Sequence, residues 1–212
     1  MEFSESLTAQ LYLLSYDPRR QALQRGIWMV HVLRAAALAD LRFCGRLIDQ
    51  AGMVQVSSRE PVGEPVLDAV LQRITESKPR SWQQWISLGG RFHLPVQDRL
   101  ATLQMIKLER RRILRIFPWT RIIVHEPHAI TELTARVRGA LLDEQPACHV
   151  DPHDAALVAL VAAGDLTTVL PWRQRRAHKK RIAQLAEHTG PVASALRKAI
   201  QASNAVATIG AS

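Results

Sequence analysis

From Arg25 to Leu47 the chain reads RGIWMVHVLRAAALADLRFCGRL, and wound at helical pitch it presents apolar or small residues on nearly every side. Ile27, Val30, Leu33, Ala37, Leu38, Leu41 and Cys44 make one stripe, and Trp28, Met29 and Val32 widen it past the arc a surface helix buries. Such a segment needs neighbours on most sides, so it predicts a central helix with the remaining chain packed around it. Arg25, His31, Arg34, Asp40 and Arg42 interrupt the run, and a charge in those surroundings requires a partner or an opening to solvent. Arg34 sits among small and apolar residues, and two readings fit it: a core arginine satisfied by Asp40 or a carbonyl, or a ligand-binding group.

The flanking segments are also mostly helical. Apolar residues make up 47% of the chain but aromatics only 5%, a balance that favours helices over β-rich architectures. The expected fold is mainly α, a single-domain helical bundle around a central apolar helix, with two small β-hairpins, spanning residues 1–206 before a short flexible tail at 207–212. A helix at Leu7–Ser15, capped by Ser6 or Thr8, ends at Asp17-Pro18. Arg46–Asp49 and Met53–Ser57 read as the first hairpin. Pro65 opens a helix with Val66, Leu67, Val70, Leu71 and Ile74 inward. Ser81 caps a short one carrying Trp82 and Trp85, both read as packing residues, before Gly89-Gly90. A helix over Pro95–Gln104 leads to the second hairpin, with strands at Ile106–Glu109 and Ile113–Phe117, Arg110, Arg111 and Arg112 at its turn, and Pro118 closing it. Helices follow at His128–Leu142, from Asp151-Pro152 to Ala163, briefly up to Leu170, from Trp172 to His188, and from Val192 onward.

The charge narrows the partners. Lys and Arg number 28 against 19 acids, a formal net charge of +9. An anionic membrane surface and a nucleic acid both reward such a balance, by Coulomb attraction and counterion release. Nothing approaches the roughly 20 uncharged residues of a bilayer span, and the amino terminus has no secretory pattern, so membrane contact is expected to be peripheral and cytoplasmic. Cys44 and Cys148 make no disulfide framework and read as reduced thiols. Cys148, His149, Asp151 and His153 fit no closed metal site, because Asp151-Pro152 already has a role as a helix start. No glycine-rich phosphate loop or nucleophile elbow occurs, so neither enzyme activity, cofactor nor metal is expected. The run Arg173, Arg176, Lys179, Lys180 and Arg181 reads as a solvated face, with phosphate contact as its alternative.

Taken in order, several stretches resemble the Golgi phosphoprotein three-like family. They are Ser6–Leu14, Leu33–Leu41 with Gly45-Arg46-Leu47, Pro65–Leu71, Arg112–Arg121 and Asp151–Leu160. The resemblance covers nearly the whole chain and implies a helical, non-enzymatic adaptor that binds anionic phospholipid, such as phosphatidylinositol 4-phosphate, on the cytoplasmic face of a membrane. It further implies a headgroup cup built from a Trp before the central helix, an Arg on that helix and two Arg three apart ahead of the second hairpin. Arg34 takes the helix position. The Trp position falls near Arg25, with Trp28 one turn on, and the paired positions fall near Gly90 and His93 with Arg91 between. The implied headgroup set is therefore Arg34, Arg25, Trp28, Arg91 and His93. The second hairpin, with Arg110, Arg111, Arg112, Phe117 and Trp119, is expected to touch a membrane or a second copy in a homo-oligomer. The family also implies cytoplasmic tails of membrane enzymes as partners. A nucleic-acid-binding protein with a winged-helix-like basic hairpin is the alternative.

Overall fold

A computed structural model describes residues 2–17, 22–23, 27–113 and 117–209, with backbone alone at 22, 27, 110–113, 117–120 and 207–209. Arg25 lies outside the described residues, as do the side chains of Arg110, Arg111, Arg112, Phe117 and Trp119.

Ser6 starts the first helix, α1 (Leu7–Leu14), by accepting from the Ala9 amide. All eight of its residues are buried, which the sequence foretells in Leu7, Leu11, Leu13 and Leu14. A short antiparallel pair, β1 (Tyr16–Asp17) with β2 (Ala22–Leu23), then leads into α2 (Ile27–Phe43). That pair adds a third small sheet to the two expected, in a stretch too short and polar to carry an alternation signal.

Helix α2 is the expected centre. Every residue from Val32 to Leu41 is buried, and Ala35, Ala36, Ala37 and Ala39 let neighbours approach on all sides. Gly45 ends it with φ +67°: the Arg46 amide donates to Leu41 and the Gly45 amide to Arg42, a closure that needs the left-handed backbone glycine tolerates. The next hairpin, β3 (Leu47–Gln50) with β4 (Met53–Val56), turns at Ala51-Gly52 and receives the loop before the fourth helix, whose Arg80 carbonyl accepts from Val54.

Helix α3 (Pro65–Thr75) is capped by Glu64, which is 2% exposed yet charged. Its compensation comes from α5 (His93–Thr102), where Arg99 donates Nε and Nη2 to the two carboxylate oxygens at 2.9–3.1 Å. Between these helices lies α4 (Trp82–Ile86), opened by a capping box in which Ser81 and Gln84 exchange hydrogen bonds. Helix α5 runs His93–Thr102, beginning and ending two residues earlier than the sequence suggests.

The second hairpin corrects an expectation. Its strands are β5 (Ile106–Ile113) and β6 (Phe117–Val124): Ile113, expected to open the second strand, ends the first, Phe117 begins the second instead of ending it, and Pro118 lies inside β6, so Arg110, Arg111 and Arg112 lie in strand, opposite Thr120, Trp119 and Pro118, rather than at the turn. The pairing continues downward because Ile106, Ile122 and Val124 are buried against the body, anchoring a register that places arginines in the upper rungs. Pro118 is tolerated because a two-stranded hairpin has an open edge.

Helices α6 (Pro127–Leu142) and α7 (Pro152–Ala163) follow, α7 being buried almost all round and opened by Asp151, which accepts from His153 and Asp154. Residues 165–170 form turns, not the expected short helix, with Asp165 at φ +56°. The long helix expected from Trp172 to His188 is two, α8 (Trp172–Ala177) and α9 (Lys179–Ala186), broken at His178, whose φ of −104° and ψ of 25° leave the helical region. Last is α10 (Val192–Ile209), packed against α2, α4 and α7.

Candidate anion-binding site

Halfway along α2, Arg34 leaves the core sideways. Its Nη2 donates to the Gly89 carbonyl at 2.7 Å, and its guanidinium lies 5.7 Å from the centre of the Phe92 ring. Gly90, at φ +107°, lets the loop pass so close that an added Cβ would stand 3.7 Å from Nη2. Of the two structural partners the sequence offered for Arg34, the carbonyl is the one used. Asp40 turns instead to α1, where it accepts from Leu7 and Thr8.

The other terminal nitrogen, Arg34 Nη1, is buried and has no hydrogen-bond partner among the described residues. Arg34 is part of the lining of a cleft, with Ala37, Leu38, Val70, Arg73, Trp85, Leu88 and Phe92. A second donor there is in the same state: Trp85 is 4% exposed and its Nε1 lacks an acceptor. Buried indole N–H and guanidinium groups ordinarily find acceptors, and here two residues of one cleft lining each carry one without an acceptor among the described residues.

Positive charge accumulates here. Arg73, in the last turn of α3, faces the cleft, and Arg80 stacks on the Trp85 ring at 5.4 Å from its centre. The cleft has no carboxylate in its lining. Burial first, and then the neighbouring Arg73 guanidinium, push the Arg34 pKa down to about 10, which leaves it charged at neutral pH. Val70, Arg73 and Phe92 also line a neighbouring groove of about 550 Å³ between α3 and α5, whose lining includes Asp98 and Arg99. Donors without acceptors, cations without counter-ions and an open side together suit an anionic oxygen-rich group.

The sequence-derived residues distribute unevenly around this cleft. Arg34 is its centre. Arg91 and His93 belong to the loop and helix start that bracket Phe92, Arg91 exposed and His93 half-buried, and neither lines the cleft. Burial and the nearby Arg91 lower the His93 pKa, so its imidazole is neutral at pH 7. Trp28 is half-buried against the core six positions before Arg34, about 120° around the helix from it, and also lies outside the lining. Arg73, Arg80 and Trp85 were missed. Arg73 follows Val70 by three positions, next to the buried stripe of α3, which was the available signal; nothing in the sequence says that Trp85 lacks an acceptor.

The Golgi phosphoprotein 3 (GPP34) family model matches residues 7–203, which include every element just described from α1 to most of α10. This chain belongs to the Golgi phosphoprotein 3 family. Among curated proteins, none matches it. As in the expectation drawn from sequence, this family member is mainly helical, and none of its described helices is long and apolar enough to cross a membrane.

Proposed function

We propose that the chain is a peripheral membrane adaptor that binds the headgroup of an anionic phospholipid, a phosphoinositide such as phosphatidylinositol 4-phosphate fitting best, in the cleft around Arg34. The observation that carries the reading is the pair of buried, unpartnered donors, Arg34 Nη1 and Trp85 Nε1, beside Arg73 in a cleft lined by no acid. Membership of the family supports it, as does the formal charge of +9. A phosphate oxygen supplies the acceptors both donors lack, and Arg73 supplies a second guanidinium for another oxygen. Headgroup burial against Phe92 and Leu88 then leaves the acyl chains in the bilayer. With no catalytic constellation of its own in this reading, the protein works by bringing a partner to the membrane, and the cytoplasmic tail of a membrane enzyme is the class of partner the family implies.

The test is flotation on phosphatidylcholine vesicles containing phosphatidylinositol 4-phosphate, compared with vesicles matched in charge by phosphatidylserine. Wild-type protein is expected to prefer the first, and Arg34→Gln to lose that preference by about tenfold or more, the scale of a charge-assisted hydrogen bond. Equal recovery of wild type and Arg34→Gln on phosphoinositide vesicles, with both folded, would remove the cleft from lipid binding.

A further inference from the structure

Helices α8 and α9 carry a second basic surface that the Arg34 cleft does not include. Between Asp165 and Glu187 the chain has six Lys and Arg residues, Arg173, Arg175, Arg176, Lys179, Lys180 and Arg181, and no acid. Two of them hold the segment to the body: Arg175 pairs with Asp165 at 2.7 Å and donates to the Ala162 carbonyl, and Arg181 donates to the Gln145 carbonyl at 2.6 Å. Ile182 and Leu185 are buried beneath them. Arg173, Arg176, Lys179 and Lys180 are exposed and make no ion pair among the described residues. Beside them Trp172 is 56% exposed, with the Arg176 guanidinium 5.6 Å from its ring centre.

The placement of these cations is locally unfavourable. Lys179, Lys180 and Arg181 are the first three residues of α9, whose first turn contains no acid. Unpaired amides give a helix start partial positive charge, so cations there destabilise the helix, and four mutually repelling side chains with no counter-ions add to the cost. A sequence that breaks a local rule without an internal compensation points outward, to a ligand that supplies it. Anionic headgroups do so twice, by neutralising the lysines and by facing the helix start. Trp172 decides between polyanions. An indole at the edge of a basic patch suits the interfacial zone of a bilayer, where its ring sits at headgroup level and its N–H stays in the polar layer.

We propose that the α8–α9 face, through Arg173, Arg176, Lys179, Lys180 and Trp172, is a second, headgroup-unselective contact with an anionic bilayer. It rests on the reading of the chain as membrane-peripheral but uses none of the residues of the Arg34 cleft. Its binding is diffuse: each cation near an anionic leaflet strengthens binding about fivefold, and the gain is lost as salt shortens the range of the attraction.

The experiment uses the full chain and three forms of it: wild type, Arg34→Gln, and a combined Arg173→Gln, Arg176→Gln, Lys179→Gln, Lys180→Gln variant. Each is tested on phosphatidylcholine vesicles with and without phosphatidylserine at low and physiological salt, on vesicles with phosphatidylinositol 4-phosphate, and on a short DNA duplex. Thermal melting checks that each is folded; the four substituted side chains are exposed and make no ion pair among the described residues, the Arg176–Trp172 stack being the contact removed, so melting is expected close to the wild-type temperature. The combined variant is expected to lose at least about tenfold in affinity for phosphatidylserine vesicles and most of its salt dependence. Arg34→Gln should keep both. The combined variant should still prefer phosphoinositide over charge-matched phosphatidylserine. Unchanged phosphatidylserine binding in the combined variant, or no such binding by wild type, overturns the inference. So does loss of DNA binding alone, which would assign the face to nucleic acid. Loss of phosphoinositide preference in Arg34→Gln is read independently, so failure of one site does not imply failure of the other.

Discussion

Asp40, on the central helix, accepts the Thr8 amide at 3.0 Å and the Thr8 hydroxyl at 2.6 Å, and its other oxygen takes the Leu7 amide at 2.9 Å. A completely buried carboxylate thus caps α1 from another element. Asp40→Ala would strand three buried donors and is expected to cost about 3–5 kcal/mol, whereas Thr8→Val, which removes only the hydroxyl, should cost about 1 kcal/mol. Urea unfolding of the two variants measures both.

Gly164, at the end of α7, is fixed by crowding rather than by backbone angle. A Cβ there would meet Val32 Cγ2 at 2.5 Å, Leu166 Cδ1 at 2.9 Å and the Leu160 carbonyl oxygen at 3.0 Å. Gly164→Ala is expected to destabilise the protein by about 1–3 kcal/mol, because Val32 and Leu166 are themselves fully buried and cannot yield freely. Pairing it with Val32→Ala should return part of the loss, and calorimetry on the single and double variants reads the coupling.

Trp85→Phe removes one atom group of the proposed headgroup cleft, the orphan indole N–H, and keeps an aromatic ring beneath Arg80. Since that donor has no acceptor among the described residues, its loss should leave stability unchanged or raise it by about 1 kcal/mol. Affinity for phosphoinositide vesicles should fall roughly threefold to tenfold. Opposite signs for stability and affinity are the signature of a donor held for a ligand. A variant that binds as wild type does would take Trp85 out of the cleft's chemistry.

His93 predicts an acid sensitivity. Burial and Arg91 hold its pKa below the ordinary 6.5, so in the window just under 6.5 the unfolded chain binds more protons than the folded one. Its contribution to stability is therefore present above that window and is lost as pH falls through it. His93→Gln should flatten the decline in urea midpoint between neutral pH and about pH 5, and an identical slope in both proteins would contradict the assignment.

What the sequence determined by itself is the arrangement set by burial. The all-round apolar character of α2, the stripe of α3 and the caps at Ser6, Ser81 and Asp151 are each written in residues a few positions apart, and local periodicity and capping chemistry read them directly. Arg34 stood out for the same reason, as a charge where the pattern calls for an apolar side chain. Tertiary structure decided the rest. The upper arginines of the second hairpin fall in strand because its register is anchored at the far end by Ile106 and Val124, and the break at His178 divides a segment expected as one helix. The cleft is likewise assembled from α2, α3, α4 and the loop before α5, so Arg73 and Trp85 meet Arg34 across separations no local pattern spans. Whether a buried donor has found an acceptor depends on where every neighbouring chain segment comes to rest. For Arg34 Nη1 and Trp85 Nε1 that outcome, a property of packing and not of spacing, is the ground on which the cleft is proposed as a site.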